Sequence, residues 1–557
     1  MKVIPVRYIF LFSVFLLTLS LNAQDKYWIY FTDKGESLTK VDWNNVEKQF
    51  SERSLQRRAK VQTSDESLLN ITDASVWQPY VAALKSYGIK PVVVSKWLNA
   101  VSAELSDEQV DLLEKLSFVE KITKVRRGVR RLEPELLSKS STPFNTHSIG
   151  YGASLVQNAQ IKVPEVHSAG VTGEGVLIAI LDTGFYLDHE VFNEMNVVAT
   201  FDFINGDENV DNEPGDVSSQ NSHGTKVLSI IGGYSPGNLI GPAFNSSYLL
   251  AKTEDTSGET SVEEDYWIAA AEWADQLGAD IISTSVGYID WYDYADMNGQ
   301  TAPITIAADM AVEKGIVVVV SAGNEGDGSW RYITTPADGF DVISVGAVTD
   351  NNVISGFSSL GPTSDGRIKP EVVAMGVSNA LAFPNGNSYG RGNGTSYSCP
   401  LVAGTAALIL SAHPELTPKQ VRQALLQTAD RATLPGNTYG WGLVDALQAV
   451  NYWGSITVPA EENLLLSAYP NPFSYKIHSG LTFLIDLEEY SDVTIDLYNI
   501  LGQRLGPIVK TSLPASQKRA VYWDGLKVSG KRVPSGIYFY RIQIGDYSAM
   551  GKMTILQ

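Results

Sequence analysis

At 557 residues the chain is too long for one compact core, and three or four folding units are the sensible starting number. With 44% hydrophobic and 19% charged residues the composition is globular, neither disordered nor fibrous. The 42 basic against 62 acidic residues, a net of −20, repel a phosphate backbone and argue against a nucleic-acid partner, while a single cysteine, Cys399, excludes an intramolecular disulfide.

The N-terminus carries Lys2 and Arg7, an apolar run from Ile9 to Leu21, and the polar start Asn22-Ala23-Gln24-Asp25. That order reads as a secretory signal peptide over residues 1–23, with a cut near Ala23 expected. The run falls short of the roughly 20 residues a spanning helix needs, and no second apolar stretch follows it. The protein is therefore expected to be secreted or on the cell surface, by way of the periplasm. Residues 24–150 then read as a small α+β unit with its linker. A strand starts at Tyr27, a charged helical stretch runs from Asn44 to Lys60, and a second helix from Val76 to Tyr87. Strands follow at Lys90 to Val94 and Leu98 to Leu105. Ser106-Asp107-Glu108-Gln109 has the signature of a capped helix start, and Phe118 to Val125 closes the unit. The basic run Lys124 to Arg131 and the Ser/Pro/Thr stretch Ser138 to Pro143 read as an exposed, protease-accessible tether.

From Tyr151 to residue 453 apolar strands alternate with helices, the pattern of a parallel sheet covered on both faces. The strands are Val176 to Leu181, Tyr248 to Ala251, Ile281 to Thr284, Ile316 to Val320 and Val342 to Val345. The helices include Val262 to Leu277, Ala302 to Lys314 and the small-residue run Leu401 to Ser411. Over residues 463–557 the helices stop. Short alternating segments at Thr482 to Asp486, Val493 to Tyr498, Ala520 to Trp523, Ile537 to Ile544 and Met550 to Leu556 point to a β-sandwich.

Four residues of the α/β unit stand where chemistry can be done. Asp182 closes the strand Val176 to Leu181 and precedes Thr183-Gly184, at the sheet edge where sites form in such folds. An aspartate there can also merely cap a turn. Of six histidines, four lie outside the unit or at its margins, leaving His189 and His223. His223 sits in Asn221-Ser-His-Gly-Thr225 at the mouth of a helix, and His189 reads as a structural neighbour. Ser396, in Gly394-Thr-Ser-Tyr-Ser-Cys-Pro400, precedes the small-residue helix. Backbone N–H groups at such a helix start stabilise an alkoxide or oxyanion, though a plain N-cap serine fits as well. Pro400 suits a first helical turn. Asn324, in Ser321-Ala-Gly-Asn-Glu-Gly326, offers a neutral amide suited to an oxyanion hole, or to an ordinary turn.

Taken together, and in the order Asp, His, Asn, Ser, these segments resemble the subtilases. Leu181-Asp-Thr-Gly184, Ser222-His-Gly-Thr225, Ser321-Ala-Gly-Asn324 and Gly394-Thr-Ser396 are similar to that family's signatures, as is Phe357-Ser-Ser-Leu-Gly-Pro362 with Gly366-Arg-Ile-Lys-Pro-Glu371. The resemblance implies a serine endopeptidase made as a zymogen, with an α/β subtilisin-like parallel sheet flanked by helices, a small α+β propeptide before it and a β-sandwich after it. It implies that Ser396 attacks the scissile carbonyl, His223 carries the proton, Asp182 orients the imidazole and Asn324 holds the oxyanion. Ser285, Val286 and Gly287 would pair with an extended substrate. Ser321, Ala322 and Gly323 would line a first pocket whose small residues suggest room for a large apolar side chain. Tyr397, Ser398 and Cys399 depart from the family's usual Met-Ala-Ala, and Cys399 reads as a buried structural thiol. No cofactor is implied for the chemistry. Structural Ca²⁺ is conceivable on the acidic stretches Asp207 to Asp216 and Asp290 to Asn298, although solvated loops are the simpler reading.

Residues 24–150 resemble a subtilase propeptide, an intramolecular inhibitor. Tyr469-Pro-Asn-Pro-Phe473, Tyr498-Asn-Ile-Leu-Gly502, Ser535-Gly-Ile-Tyr-Phe-Tyr-Arg541 and Lys552-Met553 resemble the sorting domain through which the type IX secretion machinery takes its cargo. The implied partners are protein or peptide substrates, the chain's own propeptide and that machinery. A peptide-binding pseudoenzyme is the rival reading, and the intact set of four residues counts against it.

Overall fold

The computed structural model describes residues 25–35, 41–62, 67–126, 149–258 and 260–456, together with 465–556 apart from positions 470, 477–479, 488–489, 501, 515, 528–529 and 545–546. The signal segment and nearly all of the basic tether lie outside the described residues.

The N-terminal unit is a four-stranded antiparallel sheet of order β2-β3-β1-β4, built from β1 (Asp25–Phe31), β2 (Pro91–Ser95), β3 (Ala100–Leu105) and β4 (Val119–Lys124). The helical stretch read as one from Asn44 to Lys60 is two helices, α1 (Trp43–Glu47) and α2 (Glu52–Ala59). The break falls at Ser51, which leaves the helical conformation to act as an N-cap and accepts the N–H of Ser54. Helices α3 (Gln78–Ser86) and α4 (Asp107–Leu113) follow, the latter closed by the capping box of Ser106 and Gln109.

The central unit begins with the short helices α5 (Leu155–Gln160) and α6 (Val163–Ser168). Its strands are β5 (Leu177–Asp182), β6 (Asn196–Asp202), the small hairpin β7 (Tyr234–Ser235) and β8 (Leu239–Ile240), β9 (Ser247–Lys252), β10 (Ile281–Thr284), β11 (Val317–Ser321), β12 (Ile343–Val348), β13 (Val372–Met375), and the hairpin β14 (Asn379–Phe383) with β15 (Ser388–Gly392). Seven of these form one all-parallel sheet in the order β13-β12-β11-β10-β5-β9-β6. The order reverses at β5, so the cleft at its carboxyl end is where a ligand site belongs.

The continuous apolar run of β5 is explained by burial on both sides. Ile178 and Ile180 join the core under α7 (Ser222–Gly232), α10 (Thr395–Ala412), α11 (Pro418–Thr428) and α12 (Ala446–Asn451). Leu177, Ala179 and Leu181 join the core under α8 (Val262–Leu277) and α9 (Pro303–Glu313). Trp28, Val93, Trp97 and Ala100 of the N-terminal unit belong to that second core, so its sheet is packed directly on the α8 and α9 layer. Helix α10 is the one helix among the described residues long and apolar enough to cross a membrane, and 83% of that window is buried inside the fold as its central helix.

The C-terminal unit is two sheets over one core. β16 (Leu465–Tyr469), β18 (Leu481–Leu487) and β21 (Ser516–Trp523) form one. β17 (Phe473–Ser474), β19 (Ser491–Tyr498), β20 (Arg504–Leu513), β22 (Gly536–Ile544) and β23 (Tyr547–Leu556) form the other. Phe483 and Trp523 from the first face Ile495, Tyr540 and Ile542 from the second, which makes a sandwich.

Candidate active site

Asp182 is the last residue of β5 and is fully buried. Its Oδ1 accepts the backbone N–H of Thr183 at 2.7 Å and lies 2.8 Å from Nδ1 of His223, the second residue of α7. Gly224 lets α7 approach the strand end closely, since a Cβ there would collide with the Gly184 carbonyl and crowd the Cβ of Asp182 at 3.2 Å. With Nδ1 turned to the carboxylate, Nε2 is the edge left to face a nucleophile. On the strand beside β5, Lys252 pairs in register with Asp182 and holds its fully buried ammonium 2.8 Å from Asp202 and 2.9 Å from Asp216.

Ser396 is the second residue of α10, which starts earlier than the small-residue run alone suggested. Gly394, at φ +153, turns the chain into the helix in a conformation that side-chain-bearing residues rarely adopt. Pro400 is inside the helix and not in its first turn, a correction to the sequence reading. Its missing N–H orphans the carbonyl four residues back, which is that of Ser396. The structure satisfies that carbonyl with the hydroxyl of Ser285 at 2.9 Å. Ser396 Oγ in turn donates to the Ser285 carbonyl at 3.2 Å. The nucleophile and the end of β10 are thus tied by two reciprocal hydrogen bonds. Tyr397 brings its ring to 6.1 Å from that of His223, which places α10 and α7 side by side at this edge.

Asn324 follows β11. Its Oδ1 accepts both the N–H and the hydroxyl of Thr395, each at 2.9 Å, which fixes the amide with its NH₂ edge as the donor. Sequence reasoning missed Thr395 in this role, although it stands beside Ser396 in the motif.

The segments Ser285–Gly287 and Ser321–Gly323 lie against a common side chain, that of Thr334. A Cβ on Gly287 would collide with its Oγ1, and one on Gly323 would stand 2.6 Å from its Cγ2. Thr334 is 4% exposed, and its hydroxyl has no hydrogen-bond partner. The Thr334 side chain therefore occupies space between the two segments.

The remaining candidates have structural partners. His189 is buried, with Nδ1 accepting the Val191 N–H and Nε2 against the Ser388 carbonyl. Burial pushes the Cys399 thiol up to about 12, so it is no nucleophile. Burial likewise drives His167 down to about 4. Among the acidic stretches, Asp202, Asp207 and Glu213 bring one carboxylate oxygen each within 4.8 Å of one another. Asp202 already accepts Lys252 and the N–H groups of Ile204 and Asn205, and Asp216 accepts Lys252 and the N–H of Glu213. In the second stretch Asp293 and Asp296 build a capping box, and Asp293 pairs with Arg126 at 2.5 Å.

Residues 173–442 match the model of the subtilase family, 26–140 that of the peptidase S8 propeptide domain of Bacteroidota, and 467–556 that of the secretion system C-terminal sorting domain. Subtilisin NAT of Bacillus subtilis subsp. natto is 35% identical over 358 residues, covering 64% of this chain and 81% of the relative. Subtilisin of Bacillus pumilus is 37% identical over 306 residues, covering 54% and 98%, and serine protease AprX of Bacillus subtilis is 30% identical over 382 residues, covering 63% and 79%. The protein is a serine endopeptidase that carries a propeptide domain and a sorting domain directing it to secretion or the cell surface. The chain belongs to the subtilase family.

Proposed function

We propose that Asp182, His223 and Ser396 are the catalytic triad of this subtilase and that it hydrolyses peptide bonds through an acyl-enzyme. The observation that carries the reading is the 2.8 Å bond between the buried Asp182 and His223 Nδ1, at the same sheet edge as the serine opening α10. Substrate enters as an extended strand against Ser285, Val286 and Gly287. The Ser396 hydroxyl leaves the Ser285 carbonyl, gives its proton to His223 Nε2 and attacks the scissile carbonyl. The Asn324 NH₂ and the Ser396 N–H receive the oxyanion, and His223 returns the proton to the leaving amine. Ser321, Ala322 and Gly323 line the first pocket. Thr334 at its floor favours a small side chain there.

In this reading residues 1–23 are removed on export. Residues 24–150 are an intramolecular inhibitor cut from the enzyme between about Arg126 and Gly150, residues 151–453 are the catalytic unit, and 463–557 engage the secretion machinery. The Ser396→Ala chain tests it. It should fold, show no proteolysis of casein, and accumulate uncut at the junction in a protease-deficient host. Casein hydrolysis comparable to the parent's would remove the triad assignment, and normal processing would show that another protease matures the chain.

A further inference from the structure

Between β1 and α3 the N-terminal unit inserts residues 41–73, and their helix α2 docks on the catalytic unit. Three arginines of α2 enter the carboxyl ends of α8 and α9. Arg57 is buried; it donates Nη1 to the Ala279 carbonyl at 2.6 Å and Nε to the Lys314 carbonyl at 3.2 Å, and pairs with Asp275. Arg58 bridges Asp275, at 2.6 Å, to Asp73 of its own unit, at 2.8 Å. Arg53 donates to the carbonyls of Gly278, at 3.1 Å, and Gly175, at 2.6 Å, and pairs with Asp280. From the other side Lys314 reaches Asp73 at 2.8 Å and Thr72 Oγ1 at 2.7 Å.

The location follows from strand direction. Gly175, Gly278 to Asp280 and Lys314 lead into β5, β10 and β11, so they lie at the amino edge of the parallel sheet, while Asp182, Ser285 and Asn324 stand at its carboxyl edge. The six residues of β5 separate the two edges by about 20 Å. Helix carboxyl ends present unpaired carbonyls and negative dipole charge, for which a guanidinium is the fitting ligand. Asp275 is buried and pairs with two arginines of α2. Removing an arginine strands that carboxylate within the complex but costs the free enzyme nothing.

We propose that the carboxyl ends of α8 and α9 form an exosite for the arginine helix of the propeptide, and that this exosite sets how long a cut propeptide stays on the enzyme. The proposal rests on reading residues 24–150 as the inhibitor. Cutting the tether severs the covalent link and leaves Arg53, Arg57 and Arg58 in place, so activity appears on dissociation and not on cleavage.

The test uses the full chain, purified intact and left to process. Junction cleavage is followed on gels, hydrolysis of a chromogenic peptide in the same samples, and co-elution of fragment and enzyme by gel filtration. In the parent, activity should lag behind cleavage while the cut fragment co-elutes. Arg57→Ala or Arg58→Ala should speed release roughly 10²- to 10³-fold and abolish the lag. If those chains fail to fold, Arg53→Ala serves. Arg53 is 40% exposed, so its loss buries no bare charge as deeply, and release should be about tenfold faster. Equal release rates for Arg53→Ala and the parent, or parental activity that tracks cleavage, overturns the exosite and leaves the inhibitor reading standing. An uncut precursor that is already fully active overturns the inhibitor reading itself.

Discussion

At the scale of single residues, the unit that acts is small and its members are not interchangeable. Replacing Ser396 or His223 by Ala should lower turnover roughly 10⁶-fold with the fold retained, the size of loss known from subtilisin, because each is useless without the other. Asn324→Ala should cost about 10² to 10³ in kcat with KM nearly unchanged, since the amide serves the oxyanion and not the ground-state carbonyl. A loss confined to KM would take Asn324 out of that role. Thr334 determines the third expectation. Thr334→Gly removes a side chain that touches both pocket walls and a hydroxyl without a partner, so kcat/KM for substrates with Leu or Phe before the scissile bond should rise by about 10- to 100-fold relative to Ala. An unchanged ratio would mean that the first pocket lies elsewhere.

At the scale of elements, α8 carries the densest set of buried acids. Burial pushes Glu264 up to about 7, against the pull of Lys26 and the hydrogen bonds from Tyr292 and Trp291. Its ordinary value near 4.5 applies when the chain is unfolded. Below that pH both states hold the proton and nothing is lost. As pH rises from about 4.5 to 7 the unfolded chain ionises first, so stability falls, by about 3 kcal/mol for a shift of this size. Glu264→Gln, built into the Ser396→Ala chain to prevent self-cutting, should flatten the decline of Tm across that window. An identical slope in both chains would assign the pH dependence to other groups.

Much of this layer was legible beforehand. Strands buried on both faces read as continuous apolar runs, as in β5, β10 and β11, and the site residues stood out because Asp182 and Asn324 follow such runs closely while His223 and Ser396 sit at helix starts. β6 was missed because, as the sheet's edge, it buries few of its residues and mixes polar with apolar ones. β20 was missed because Gly506-Pro507 reads as a break, yet it pairs only with β19 and tolerates a proline at that edge. The inner position of Pro400 and the role of Thr334 depend on contacts between segments far apart in the chain, for which spacing carries no signal. Glu52-Arg-Ser-Leu-Gln-Arg-Arg58 looks like a solvated charged helix, since most of its partners are carbonyls and carboxylates far along the chain in the catalytic unit.

For the whole molecule, three matched regions occur in the order in which they are used: a unit that covers the enzyme, the enzyme, and a sandwich that takes it to the secretion machinery. With one buried cysteine the catalytic unit relies on packing instead of cross-links, and its two cores share a single sheet. Helix α8 links the covering unit to that sheet at both ends. Lys26 pairs with Asp265 at 2.6 Å in its first turn, and the arginines of α2 meet its last. Asp265 and Asp275 are ten residues apart, which at about 1.5 Å each separates these contacts by some 15 Å. A covering unit seated at only one end of the helix would leave a buried carboxylate at the other end without its cation, so full seating requires both contacts.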